Sequence, residues 1–396
     1  MIEAGSREFR AATLALCLGS AMVFANLHLV QSLLPTLAQH FQLTELQASW
    51  SVTVTILMLG LSLLVYGPLS DAWGRKTIMV VTMAGAVITT LAMSRVESYP
   101  ALLALRGLQG LCLGGLPAIA IAYMGDEFTR KAVVLAVGVY ISANSLGGVM
   151  GRMVGGFVGE HYGWAAAFGA MGGLSAVLLA IFVWLLPRSQ HFQPKPLHPV
   201  SVVHDMLGHV RNPVLLAAYW IAFGNFMIFL NQYSYVTFVL AAPPYHLSPH
   251  ALGMLFLTYL TGTVSAAISG QLTRIMPAPI GMAVGVVFLM AGSLLTLMPV
   301  LYAIIAGFMV SSFGFFLTHS LASSWVSHHA EKVRASASSL YLVFYYLGAS
   351  LGGFVLAPFW HWQGWSGIVL GSLCVYACTL LCSLWLFGWQ NQRHIA

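Results

Sequence analysis

Charge is what this chain has least of. Only 7% of its 396 residues are Asp, Glu, Lys or Arg, against roughly 25% in water-soluble domains, so it cannot cover itself with an ordinary aqueous surface. Acid is scarcer still: the 10 Asp and Glu residues all fall at the edges of apolar runs, and none lies deep within one. No paired carboxylates, metal-ligand cluster or nucleophile motif can be picked out, which removes the usual starting points for an enzyme site and leaves no cofactor to place. The five cysteines, Cys17, Cys112, Cys374, Cys378 and Cys382, sit inside apolar stretches without the spacing of a zinc site or a disulfide framework. Sixteen basic residues leave a formal charge of +6, but they are scattered rather than gathered on one face, so no nucleic-acid partner is expected.

What remains is apolar. Residues of the hydrophobic class make up 59% of the chain, and a bilayer-crossing helix needs ~20 of them in succession. Runs bounded by charges, prolines and turn residues predict twelve helices, at residues 11–37, 47–69, 76–94, 99–124, 131–157, 163–187, 213–241, 249–272, 279–298, 300–325, 335–360 and 365–388. The first, preceded by Arg7 and Arg10 and followed by no small-residue cleavage site, reads as a retained span. A polar segment with Pro194, Pro196 and Pro199 divides the chain into an N-terminal half (1–187), a linker (188–212) and a C-terminal half (213–396). The expected fold is therefore an all-α polytopic membrane protein with twelve transmembrane helices in two pseudo-symmetric six-helix halves.

Two patterns support that division. Gly151, Gly155-Gly156-Phe157-Val158 and Gly163-Trp164 recur as Gly348, Gly352-Gly353-Phe354-Val355 and Gly364-Trp365, offset by 197 to 201 positions. Thirteen of the sixteen basic residues fall on one side if both termini are cytoplasmic; Arg95 alone lies in an outer loop, and Arg106 and Arg152 lie inside helices. That bias predicts cytoplasmic termini, and short loops without an Asn-x-Ser/Thr acceptor suggest a bacterial inner membrane. Repeated halves joined by a linker are a mark of alternating-access transporters.

Three motifs stand out. Gly67-Pro68-Leu69-Ser70-Asp71-Ala72-Trp73-Gly74-Arg75-Lys76 reads as a tight cytoplasmic turn in which Asp71 can cap a helix or pair with a cation as a reversible ionic latch. Arg106-Gly107-Leu108-Gln109-Gly110 places a cation within the membrane, where it must be paired or face a cavity. Gly138, Gly147, Gly151, Gly155 and Gly156 form a helix-packing series on one predicted helix.

At these residues the chain resembles the major facilitator superfamily, and within it the twelve-helix drug:proton antiporters, including the small sugar-efflux and chloramphenicol-type exporters. The 67–76 segment resembles the signature loop between helices 2 and 3, and the Arg106 and glycine segments resemble helix 4 and helix 5 motifs. Arg152 stands where the antiporter motif has proline. The resemblance implies a fold of two six-helix bundles, drug or small-solute export coupled to protons, and pairing of Asp126 with Arg75.

Without an intramembrane acid, the titratable groups available for coupling are His28 and His319, since histidine changes charge near neutral pH; a neutral, hydrogen-bonded role is open to each. Arg152 could grip a carboxylate or phosphate or serve in a structural pair. Asn26, Gln31, Tyr140, Ser142, Asn144, Asn225, Asn231, Gln232, Tyr233 and Tyr235 are polar or aromatic groups expected to face inward, and Phe344, Tyr345 and Tyr346 could stack on a substrate or pack. The expected activity is proton-coupled efflux of a small organic solute by a monomer in the lipid bilayer. Uptake of an organic anion is the alternative within the transporter class, and a membrane sensor or enzyme the alternative outside it.

Overall fold

The computed structural model describes residues 1–190, 208–330 and 334–395, excepting the side chains of residues 134, 334, 335 and 393–395. Most of the expected linker (191–207), with Glu331 and Lys332, lies outside the described residues. Helices account for nearly all that is described. They are α1 (Arg7–Phe41), α2 (Glu45–Trp73), α3 (Arg75–Met93), α4 (Tyr99–Glu127), α5 (Arg130–Tyr162), α6 (Trp164–Leu185), α7 (Pro213–Ala241), α8 (Pro249–Leu272), α9 (Ala278–Leu295) and α10 (Leu301–His329). The last helical run, Arg334–Ile395, breaks at Gln363 and Gly364, the glycine at φ 55, and so makes two spans, α11 (334–362) and α12 (365–395). Each of the twelve overlaps its sequence-predicted segment. The protein is an all-α, multi-pass membrane protein whose exposed faces carry large apolar side chains such as Val65, Ile88 and Trp184, as contact with lipid requires.

Local chemistry sets the ends and breaks. Thr44 and Gln47 close a capping box at the start of α2, each side chain bonding the other's backbone N–H at 3.2 and 2.9 Å. In α1, Pro35 has no N–H and its ring crowds the preceding turn, so the helix Arg7–His28 passes through a 3-10 segment, Leu29–Leu33, before resuming at Leu34. The 67–76 segment, expected as a tight turn, makes its turn only near its end. Residues 67–73 continue α2 with Pro68 inside it, and the reversal is made at Gly74 alone, whose φ of 99° is accessible to glycine and strained for other residues. A Gly-Pro pair usually marks a loop; here the helix continues through it to the glycine at which it ends.

The described residues form two compact units, one of Met1–His198, Leu240–Ala242 and His246–Phe256, the other of Pro199–Val239, Pro243–Tyr245 and Leu257–Ala396. The first unit thus includes the opening turns of α8. Those turns are held to α5 by Glu160, whose carboxylate accepts the His250 backbone N–H at 3.0 Å, an anion at a helix N-terminus.

The two units repeat one packing device. In the first, Gly147, Gly151 and Gly155 of α5 lie directly on Ala21, Ala25 and Leu29 of α1. In the second, Gly348 and Gly352 of α11 lie on Phe223 and Met227 of α7. Both series advance by four residues, so a single helix face is kept against its partner. The glycines are offset by 197 and their partners by 198, which makes the sequence repeat a structural one.

Candidate functional site

At the junction of α2 and α3, Arg75 bonds Asp71 at 2.5 Å, four residues earlier, and Asp126 at the end of α4 at 3.0 Å. Its guanidinium also donates to the Ser70 hydroxyl at 2.8 Å. Lys76 turns away from this cluster and donates to the Leu186 and Val183 carbonyls at 2.5 and 3.1 Å, covering the end of α6. Asp71, Arg75 and Asp126 are therefore brought together, Gly74 makes their turn, Lys76 fastens a neighbouring helix, and Gly67 has open space around it.

Arg106 is fully buried. It donates to the carbonyls of Ser51, Leu27 and Asn26 at 2.8, 2.9 and 3.1 Å, and to Gln109 Oε1 at 2.5 Å. Two of those carbonyls belong to the last turn of α1 before its 3-10 segment, where α-helical acceptance is interrupted, so the fork completes the break in α1. Gln109 then donates to Thr90 at 2.6 Å, Thr90 donates to Asn26 Oδ1 at 2.8 Å, and Asn26 donates to Ser175 at 2.7 Å. This closed network joins α1, α3, α4 and α6.

Toward the other end of α5, Arg152 is 1% exposed. It donates from Nε to Gln31 Oε1 at 2.7 Å and from Nη1 to the Gly148 carbonyl at 3.0 Å, while its guanidinium lies 4.3 Å from the centroid of the Phe256 ring, a cation–π distance. The ring of His28 lies beside this group across Gly148, and its Nδ1 is buried with no hydrogen-bond partner among the described residues. His28, Gln31 and Arg152 thus form one cluster. Asn144 lies apart from it, hydrogen-bonded to Ser20. Of the remaining glycines, Gly156 lies against Pro249 at the start of α8, whereas Gly138 meets nothing within 4 Å and contributes no helix contact here.

In the second unit the buried polar contacts of Asn231, Gln232 and Tyr233 join neutral groups. Asn231 donates to the Ala349 carbonyl at 2.9 Å and clasps α11. Tyr233 shares hydrogen bonds with Thr258 at 2.6 Å and Ser312 at 2.9 Å. Gln232 donates to Ser293 and Ser372 at 2.9 and 2.8 Å, repeating in α7, α9 and α12 the arrangement that Asn26, Thr90 and Ser175 make in α1, α3 and α6. Phe344 stacks on Tyr219 and Tyr345 on Phe226, with centroids 5.3 and 3.8 Å apart.

His319 of α10 lies within this unit beside Tyr341 and Tyr345 of α11. Its Nδ1 is 3.0 Å from the Tyr341 hydroxyl, which also reaches the His319 carbonyl at 3.3 Å. If the tyrosine donates to that carbonyl, Nδ1–H donates to the tyrosine oxygen and Nε2 carries the lone pair. The imidazole stacks on Phe315 at 9° and lies 4.7 Å from the Tyr345 ring. A cavity of about 10 Å³ opens among His319, Asn225, Thr318, Tyr341 and Tyr345. Asn225 accepts from Thr379 at 2.8 Å through Oδ1, but its buried Nδ2 has no partner among the described residues. Sequence reading placed Asn225 among inward-facing groups without linking it to His319. Tyr341 and Thr379 gave no signal, because hydroxyl residues are common in membrane helices.

Comparison with known proteins bears on what such an arrangement does. A family model described as Major Facilitator Superfamily matches residues 16–353. An uncharacterized MFS-type transporter of Bacillus subtilis, YybF, is 36% identical over 391 residues, covering 98% of this chain and 95% of the relative. The Escherichia coli inner membrane transport protein YnfM is 38% identical over 372 residues, covering 93% and 88%. The crystal structure of PepTSo, a POT family transporter, superposes with a TM-score of 0.77 at 13% identity over 97% of this chain and 98% of that one.

Proposed function

The chain belongs to the major facilitator superfamily and is a membrane transporter rather than an enzyme; on that premise we propose that it exports a small organic solute in exchange for protons, with His319 as the group that gains and loses the proton. The observation that carries this reading is the surroundings of His319: one ring nitrogen held by Tyr341, the other with no partner among the described residues, and a cavity beside it. With no acid deep within an apolar run of the sequence, histidine is the side chain suited to titrate near neutral pH. His28 is less suited. Its ring lies across Gly148 from the Arg152 guanidinium, and Arg106 donates to the carbonyls of the two residues before it, so a protonated ring there would meet like charge.

Export is favoured by α5, where Gly147, Gly151 and Gly155, which resemble the antiporter glycine motif, pack closely on Ala21, Ala25 and Leu29 of α1. By this reading Asp71, Arg75 and Asp126 are a latch that opens and closes at the cytoplasmic face, Arg106 holds the break in α1, and Arg152 with Gln31 and His28 forms a second polar centre. Asn144, Asn231 and Tyr233 shape the helix contacts around the solute path. The basic residues support cytoplasmic termini, and the similarity to YnfM supports a bacterial inner membrane. A monomer suffices, with 1–187 and 213–396 as its working halves.

The test is transport by the purified protein in proteoliposomes, screening neutral and anionic solutes with an imposed pH gradient and an internal pH dye. Solute-dependent proton efflux from the vesicle lumen, opposite in direction to solute movement, is expected. Solute movement with no accompanying proton movement would overturn the proposal in favour of a facilitator or a different coupling ion.

A further inference from the structure

The Nδ2 of Asn225 is a strong donor, 3% exposed as a residue, without a partner among the described residues inside a membrane helix bundle. Such a group is costly unless water or a ligand reaches it. Beside it is a cavity of about 10 Å³, the space of a single water, and across that cavity is His319. A water needs two or more polar partners to be held. Asn225 supplies a donor and the His319 lone pair an acceptor, and the Thr318, Tyr341 and Tyr345 side chains complete the polar part of the wall.

We propose that this cavity holds an ordered water, anchored by the Asn225 amide and hydrogen-bonded to His319 Nε2, that delivers the coupled proton, making Asn225 a positioning residue for protonation of His319. This deepens the export reading above and rests on it. The step balances simply: a proton passes from hydronium to Nε2, leaving water in the cavity and an imidazolium on α10, and returns by the reverse path. The Tyr341 oxygen accepts from Nδ1–H in both states. The Phe315 and Tyr345 ring faces meet the imidazolium as cation–π partners.

The titratable groups facing this site are Tyr341 and Tyr345 on α11. Tyr346 on α11, its ring 5.1 Å from that of Tyr345, and Tyr259 on α8 lie behind Tyr345. Neither α7 nor α9 adds a titratable group to the wall, and no Asp, Glu, Lys or Arg lines the cavity.

The test is a titration of the detergent-solubilised full-length protein, labelled with nitrogen-15 in histidine, in which the His319 resonances are assigned by their loss in His319→Asn. Two variants bracket the proposal. Asn225→Leu removes the water's anchor, and Asn225→Asp keeps the shape and the Thr379 contact while placing an acceptor and negative charge across the cavity. The His319 midpoint should fall by about one pH unit in the leucine variant and rise by about one in the aspartate variant, tenfold changes in proton affinity in opposite directions. Equal midpoints in wild type and both variants, with His319 still titrating, would overturn the proposal and leave the export reading intact. A His319 ring that stays neutral from about pH 4 to 9 in all three proteins, a window around its ordinary value, would overturn both.

Discussion

Gly151 of α5 lies so close to Ala25 of α1 that a Cβ built on the glycine would stand 2.5 Å from the Ala25 Cα. Backbone meets backbone there, so relief cannot come from rotating a side chain. Gly147 repeats the contact at Ala21 one turn away. Gly151→Ala should therefore cost about 1–3 kcal/mol of stability, as overpacking does, and lower the thermal midpoint measured in detergent. Gly138→Ala on the same helix, where the added methyl meets open space, should leave the midpoint unchanged or slightly raised. Similar midpoints for the two variants would remove close packing as the reason for the α5 glycines.

Arg75 joins two acids, Asp71 and Asp126, whose side chains are each 36% exposed. Exposed ion pairs contribute about 0–1 kcal/mol, which is too little to hold the fold but enough to bias two conformations. Asp71→Asn and Asp126→Asn should each lower the solute transport rate several-fold with a thermal midpoint within a degree or two of wild type. If the midpoint drops while transport per folded molecule is kept, the cluster is a structural tie and no latch.

Arg106 accounts for the carbonyls of Asn26, Leu27 and Ser51 together. Truncating it leaves those acceptors without the donor that satisfies them, and each buried polar group left unsatisfied costs about 1–3 kcal/mol. Arg106→Ala should express poorly or unfold at markedly lower temperature. Arg106→Lys, unable to fork, should recover only part of the loss. An Arg106→Ala protein that stays as stable as wild type but no longer transports would move this residue from scaffold to substrate contact.

The helices were legible because hydropathy, charge and proline act locally, and the bilayer filters for long apolar runs. The repeat was legible because Gly151 and Gly155 must be small for the same reason as Gly348 and Gly352. What sequence did not show was pairing across distance. Thr90, Ser175 and Thr379 look like any hydroxyl residue that back-bonds its own helix, yet they complete the contacts of Asn26, Gln109 and Asn225. The ion pair of Arg75 with Asp126 was anticipated through the family resemblance and was not readable from the 51 residues that separate them. The segment 67–73 was misread as a turn because Gly67 and Pro68 signal breaks more often than they signal a helix that continues to Gly74.

His319 and His28 supply the last contrast. His319 rests on Tyr341 and faces neutral rings and a cavity, whereas His28 lies within the field of Arg152 and Arg106. A proton arriving at His319 Nε2 meets a cavity and sets the imidazolium between two aromatic rings; one arriving at His28 meets like charge. If coupling runs through His319, His319→Gln should flatten the pH dependence of solute transport over about pH 5 to 8, the range in which histidine changes charge. It should leave solute exchange at equal pH on both sides largely intact, because exchange moves no net proton. His28→Gln should keep the wild-type pH profile even if its rate is lower. A pH profile retained in His319→Gln and lost in His28→Gln would transfer the proton to the first unit, and the two guanidiniums would then have to move away from His28 during the transport cycle.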